Sequence, residues 1–194
     1  MWGLSVNYGT QAGLAMQLRS HPMHGADSEA AEQGRFKEGH GMADVDRQCF
    51  TVGVFQDVGW AQRGLEALAD KGFASESLSL ISKETPQAVE LLRRTFGVDG
   101  VTLNIARIGS VVAHGPLVGA LQHGDEHELD RTGVAATMRH VGFQAHDGFI
   151  YETLTARGGV LVGVHSEPRA ADALAVMFAY GGGNAAIGAW AGRV

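Results

Sequence analysis

The runs Thr51-Val52-Gly53-Val54-Phe55 and Val160-Leu161-Val162-Gly163-Val164 share a Val-Gly-Val order and lie near opposite ends of the chain. Both are rich in β-branched residues, which suit a pleated and largely buried surface. Each leads into a polar cap, a stretch of helical periodicity and a closing glycine. After the first run, Asp57 is placed to cap a helix in which Val58, Ala61, Leu65, Leu68 and Ala69 recur at three- and four-residue spacing, and Gly72 ends it. After the second, Ser166 and Pro168 start a helix from Arg169 to about Tyr180. Ala170, Leu174, Met177 and Phe178 are expected on its inner face, and Gly181-Gly182-Gly183 closes it. A chain that makes this strand–helix unit twice must lay helices on a sheet, which excludes all-helical and all-β architectures.

Leu78-Ser79-Leu80-Ile81 supplies another strand, so residues from Phe50 onward form a β-α-β unit of about 32 residues, long enough for a parallel crossover. Two further helices are expected. Leu129 to Val141 groups Val134, Met138 and Val141, and Ala145 to Arg157 groups Phe149, Ile150 and Leu154. Gly158-Gly159 marks the turn into the late strand, and Ala185-Ala186-Ile187 reads as a last edge strand. The expected fold is therefore α+β: a ferredoxin-like sandwich with duplicated βαβ-like units, spanning 49–194, with a partly helical insertion at about 98–157.

Residues 1–48 differ from the rest. His21 to Arg47 carries many charges with little apolar periodicity, as an arm would. Trp2, Leu4, Tyr8, Leu14, Met16 and Leu18 are too apolar for a purely solubilising tail. They point to an arm ordered by a partner, and the two-faced apolar strands point the same way. The expected partner is another copy of the chain, so a homo-oligomer, with a different protein or a small ligand as alternatives.

Charge and cysteine use narrow the function classes. Fifteen basic and 21 acidic residues give a net charge of -6, without the basic stripe of a nucleic-acid-binding surface. The one cysteine, Cys49, excludes an intrachain disulfide, and its expected place is at a strand start. The start Met1-Trp2-Gly3-Leu4-Ser5 lacks the basic and apolar segments of a signal peptide. The most apolar stretch, Val98 to Leu121, is broken by Asp99, Asn104, Arg107 and His114, so no integral membrane segment is expected. These readings place the protein in the cytoplasm.

Histidine is the residue type with most chemical promise. His123, Asp125, Glu126, His127 and Glu128 form the densest titratable run, but Gly124 interrupts it and the His-Glu-x-x-His order is absent, so a solvated polar loop is expected. His165 directly follows a strand, where a side chain can enter a cleft, and His146 lies one helical turn before Ile150. His114 sits in Gly109-Ser110-Val111-Val112-Ala113-His114-Gly115-Pro116, which matches neither a dinucleotide fingerprint nor a phosphate loop and reads as a tight connection. His114, His146 and His165 are the candidate ligand-binding residues. No catalytic set is assigned, and the residues name no metal or cofactor. Glu152 and Arg157 are expected on a solvated helix face.

Several segments in order carry a resemblance: Thr51 to Phe55, Lys71-Gly72-Phe73, Ser77 to Ile81, Ile105 to Leu117, and Tyr151-Glu152 through Val164. Over residues 50–183 the chain resembles the bacterial general-stress, heat-induced protein family with a general stress protein 17M-like domain. In that family Ile105 to Leu117 corresponds to a glycine- and proline-containing linker. Members often carry a longer, apolar, glycine-rich middle section, whereas here Gln122 to Glu128 is polar. The resemblance implies a stress-associated role and supplies no established reaction or catalytic residues. The expected function is a non-enzymatic structural or interaction protein. A small-molecule- or metal-binding module is the alternative, and histidine acid/base catalysis ranks behind both.

Overall fold

In the computed structural model, residues 50–166 and 169–183 are described. The expected arm at 1–48, Cys49, Pro168 and the strand expected at Ala185 to Ile187 lie outside them. The described chain is a mixed α/β fold built on one five-stranded antiparallel sheet. Its strands are β1 (Phe50–Phe55), β2 (Leu78–Lys83), β3 (Val101–Ile105), β4 (Gly109–His114) and β5 (Val160–His165), in the order β1-β5-β2-β4-β3. The helices are α1 (Val58–Asp70), α2 (Pro86–Phe96), α3 (Pro116–Gln122), α4 (Glu128–Thr137), α5 (Ala145–Ala156) and α6 (Ala170–Ala179).

The expected direct parallel crossover between β1 and β2 is not formed. The two strands run parallel, but β5 lies between them and pairs antiparallel with both. The cause lies in β5 itself. Val160, Val162 and Val164 face one side and Leu161 the other, and all four are buried. A strand apolar on both faces belongs at the centre of a sheet rather than at its edge.

Strand alternation divides the core in two. On one face, Phe55, Leu78, Leu80, Val112, Val160, Val162 and Val164 meet α1, α2 and α6. On the other, Phe50, Val52, Val54, Ile81, Val111, Ala113 and Leu161 meet α3, α4 and α5. The second face therefore needs no partner, because helices of the 98–157 region cover it.

Local chemistry places the helices. Asp57 caps α1, its Oδ1 accepting from the Trp60 N–H at 2.9 Å. Helix α2 is absent from the periodicity reading, yet its ends are well marked. Thr85 caps it by accepting from the Ala88 N–H at 3.1 Å, Pro86 opens it, and Gly97 closes it. The segment Ile105 to Leu117 is not a linker. Its centre is β4, hairpin partner of β3, and its glycines lie at the strand's start and just past its end. Gly115 turns the chain tightly from β4 into α3 at φ +96°. A Cβ there would lie 2.2 Å from the Leu78 carbonyl oxygen.

The expected helix over Leu129 to Val141 divides. Gly133 is non-helical inside α4, and Met138–Val141 is a 3-10 turn. Val134 and Met138 are buried as expected. In α5, Ile150 and Leu154 are buried but Phe149 is exposed. In α6 the buried residues are Ala173, Val176 and Met177, while Phe178 points outward.

Candidate functional site

The three candidate histidines are held on different parts of the fold. His114 ends β4 on the face covered by α2, where its ring lies 4.6 Å from that of Phe96. His165 ends β5 on the opposite face, its ring 5.3 Å from that of Phe50. Cross-strand partners share a face, and His114 opposes Leu80 while His165 opposes Phe50, so the sheet itself separates the two. His146 is exposed in the first turn of α5. No single cleft gathers the three.

The polar run after α3 is an exposed turn, as expected, and it also makes ordered contacts. His123 ends α3 in a left-handed conformation, φ 45°. Its imidazole stacks on His140 of the 3-10 turn, with centroids 4.6 Å apart and planes 4° from parallel. His140 Nε2 is 2.9 Å from Glu128 Oε1 in the first turn of α4. Asp125 stabilises the approach to α4, accepting from the His127 N–H at 3.0 Å and from the Arg131 guanidinium. Those contacts, the Arg131 hydrogen bond foremost, hold the Asp125 carboxyl below the usual carboxylate range.

An imidazole oriented by a carboxylate is one half of an acid–base device. The other half is a concave space for a reacting group. The groove of about 360 Å³ between α1 and α2, lined by Val58, Gln62, Pro86, Glu90 and Arg94 among others, lies on the opposite side of the sheet. Among the described residues, no three or more His, Cys, Asp or Glu side chains are arranged to hold a metal ion. Among the same residues, no helix is long and apolar enough to cross a membrane.

Glu152 corrects the expectation of a solvated face. It is 3% exposed, and its Oε2 accepts from the Ala135 N–H at 2.9 Å. This carboxylate caps the second half of α4 where Gly133 breaks the helix, and its charge complements the exposed amides of a helix start. Arg107 Nη1 approaches Glu152 Oε1 at 3.5 Å from the β3–β4 turn. Arg157 is exposed, as expected. The available signal was positional: Glu152 sits one turn after Gly148 and one before Thr155, on a stripe of small residues where helices pack closely.

Comparison with known proteins gives no match. No family model, curated protein or solved structure is similar to this chain. Site chemistry therefore rests on geometry. Glu152 joins α4 to α5, the His123–His140–Glu128 group joins α3, α4 and the 3-10 turn, and Thr51 Oγ1 meets Ser166 Oγ at 2.6 Å across β1 and the end of β5. Each of these polar groups is committed to holding elements together. Burial also pushes the Tyr151 phenol upward, and its hydroxyl donates to the Val52 carbonyl at 3.4 Å.

Proposed function

We propose that this chain is a stress-associated structural or interaction protein that works by self-association rather than by turnover. The observation that carries the reading is a division of labour in the fold. The best-placed polar side chains bind neighbouring elements of the same chain, while no described strand pairs with the outer side of edge strand β3. An open strand edge is an association surface by its chemistry. The ordered resemblance to the general stress protein 17M-like family supports the stress-associated part, and a cytoplasmic place follows from the same reading.

A ferredoxin-like ancestry for the sheet belongs to this proposal. Its support is the split arrangement in which β1 and β2 run parallel around antiparallel β5, with α3 to α5 then forming an added layer. Residues 1–48 are the proposed arm, contributing apolar side chains to the assembly. Light scattering tests the reading on the full chain and on a chain beginning at Asp46. An oligomer is expected for the full chain at micromolar concentration, weakened by the truncation. A strictly monomeric full chain overturns self-association, and an oligomer untouched by truncation removes the arm from it.

A further inference from the structure

The strand order puts β1 at an edge of the sheet, yet its burial is that of an inner strand. Five of its 6 residues are buried on the two faces, whereas at the other edge only Ile105 of β3 is buried. Burial on both faces belongs to a strand with neighbours on both sides. One such neighbour contact is present. Helix α6 ends in a Schellman turn: the Gly181 N–H, at φ +91°, donates to the Phe178 carbonyl at 3.1 Å, and the Gly182 N–H to the Met177 carbonyl at 2.7 Å. That turn delivers Gly183 to the outer side of β1. The Val54 N–H donates to the Gly183 carbonyl at 2.7 Å, and the Gly183 N–H donates back to the Val54 carbonyl at 2.9 Å.

A reciprocal pair of this kind is one complete rung of an antiparallel ladder, and one rung fixes the register of those that follow. Backbone groups of alternate residues in a strand face the same side, so those of Val52 and Phe50 face outward with those of Val54. The sequence after Gly183 reads Asn184-Ala185-Ala186-Ile187-Gly188. It carries no charge and no proline before the next glycine, so nothing in it denies a donor to a ladder. Its four residues between the glycines match in number the stretch of β1 from Gly53 back to Phe50.

We propose that the outer edge of β1 is the docking edge for the chain's own segment Asn184 to Ile187, which pairs with it antiparallel in the register set by Gly183. The occupant belongs to the same chain because Gly183 is already seated there, and a strand from elsewhere would have to displace it. In this register Ala185 exchanges both backbone hydrogen bonds with Val52, and Ile187 with Phe50. Asn184 faces Gly53 and Ala186 faces Thr51 as non-hydrogen-bonded pairs. Ala185 and Ile187 then share the face of Phe50, Val52 and Val54, which is the apolar face against α3, α4 and α5. The Val52 carbonyl also accepts from the Tyr151 hydroxyl at 3.4 Å, and its two lone pairs admit both donors. This goes beyond the self-association reading and does not rest on it: it closes one edge of the sheet from within the chain.

NMR of the full wild-type chain reads the register directly. An NOE between the α-protons of Ala186 and Thr51 is expected, since a non-hydrogen-bonded pair brings its Cα atoms to about 4.5 Å. Hydrogen exchange reads the bonds. Ala185→Pro removes the N–H aimed at Val52 and should speed exchange of the Val52 amide by about tenfold or more, whereas Ala186→Pro removes an N–H that faces away and should leave it within about twofold. Slow exchange of the β2 and β5 amides in both variants checks that the fold is kept, and the wild-type NOE decides the matter if a proline unfolds the chain. Absence of that NOE, or equal effects of the two prolines, overturns the proposal. So does Val52 protection that rises with protein concentration, which would make the occupant a second copy. None of these results bears on association at β3, so the two readings fail separately.

Discussion

Gly133 and Glu152 depend on one another. Gly133 has φ +83° and ψ 172°, a region essentially restricted to glycine, and a Cβ there would lie 2.5 Å from Glu152 Oε2. Gly133→Ala should therefore destabilise the fold by roughly 1–3 kcal/mol in denaturant unfolding. Glu152→Ala should cost about 2 kcal/mol, since it strips the Ala135 amide of its acceptor inside the protein. Glu152→Gln keeps an acceptor oxygen and should cost clearly less. Equal losses for the two Glu152 variants would show that capping is not the role of this carboxylate. Asp125 offers a test by titration. Its carboxyl is held low by Arg131, so whatever it contributes is present above the unfolded-state value and is lost as pH falls through the lower folded one. Carbon-detected NMR should show the Asp125 carboxyl titrating below an ordinary aspartate and moving up in Arg131→Ala. An unchanged titration would contradict the pairing.

Among the elements, α3 shows how one buried hydroxyl can seat a helix. Ser79 of β2 is fully buried and accepts from the Leu117 N–H at 3.0 Å, while Leu117 packs over Gly163 of β5, where a Cβ would come within 2.6 Å of it. Ser79→Ala should lower stability by roughly 1–3 kcal/mol, the usual cost of a buried donor without a partner, and loosen α3 first in hydrogen exchange. Uniform loosening of the whole sheet would argue against this local role. Elements with strong periodicity were legible in the sequence: β1, α1, β2 and β5, and α5 within a residue. The β3–β4 hairpin was hidden because its glycines suggested a connection, although they bound β4 rather than interrupt it. Helix α2 was missed, although Thr85, Pro86 and Gly97 mark its ends. The outward turn of Phe149 and Phe178 could not be read from periodicity. Both lie beside buried neighbours, and only packing decides which of two adjacent apolar residues faces the core. Likewise, Glu152 is polar by composition and buried by tertiary contact, and the stacking of His123 on His140 depends on how α3 and the 3-10 turn pack.

At the scale of the whole molecule, the sheet is covered on both faces by helices of its own chain, so any pressure toward association falls on its edges. One edge is met by Gly183; at the other, β3, the Asp130 carbonyl of α4 accepts from the Ala106 N–H just past the strand, and no described strand pairs with the outer side. The proposed self-association therefore rests on an edge strand rather than on an uncovered sheet face, as the two-sided strands first suggest. The account's central claim is the proposed self-association at the β3 edge. The most direct measurement is hydrogen exchange of the Val101–Ile105 amides in the full chain as protein concentration is raised across the micromolar range. The account predicts that protection of these amides grows with concentration while that of β1 stays constant. Exchange at β3 that is independent of concentration, with oligomers present, would contradict it.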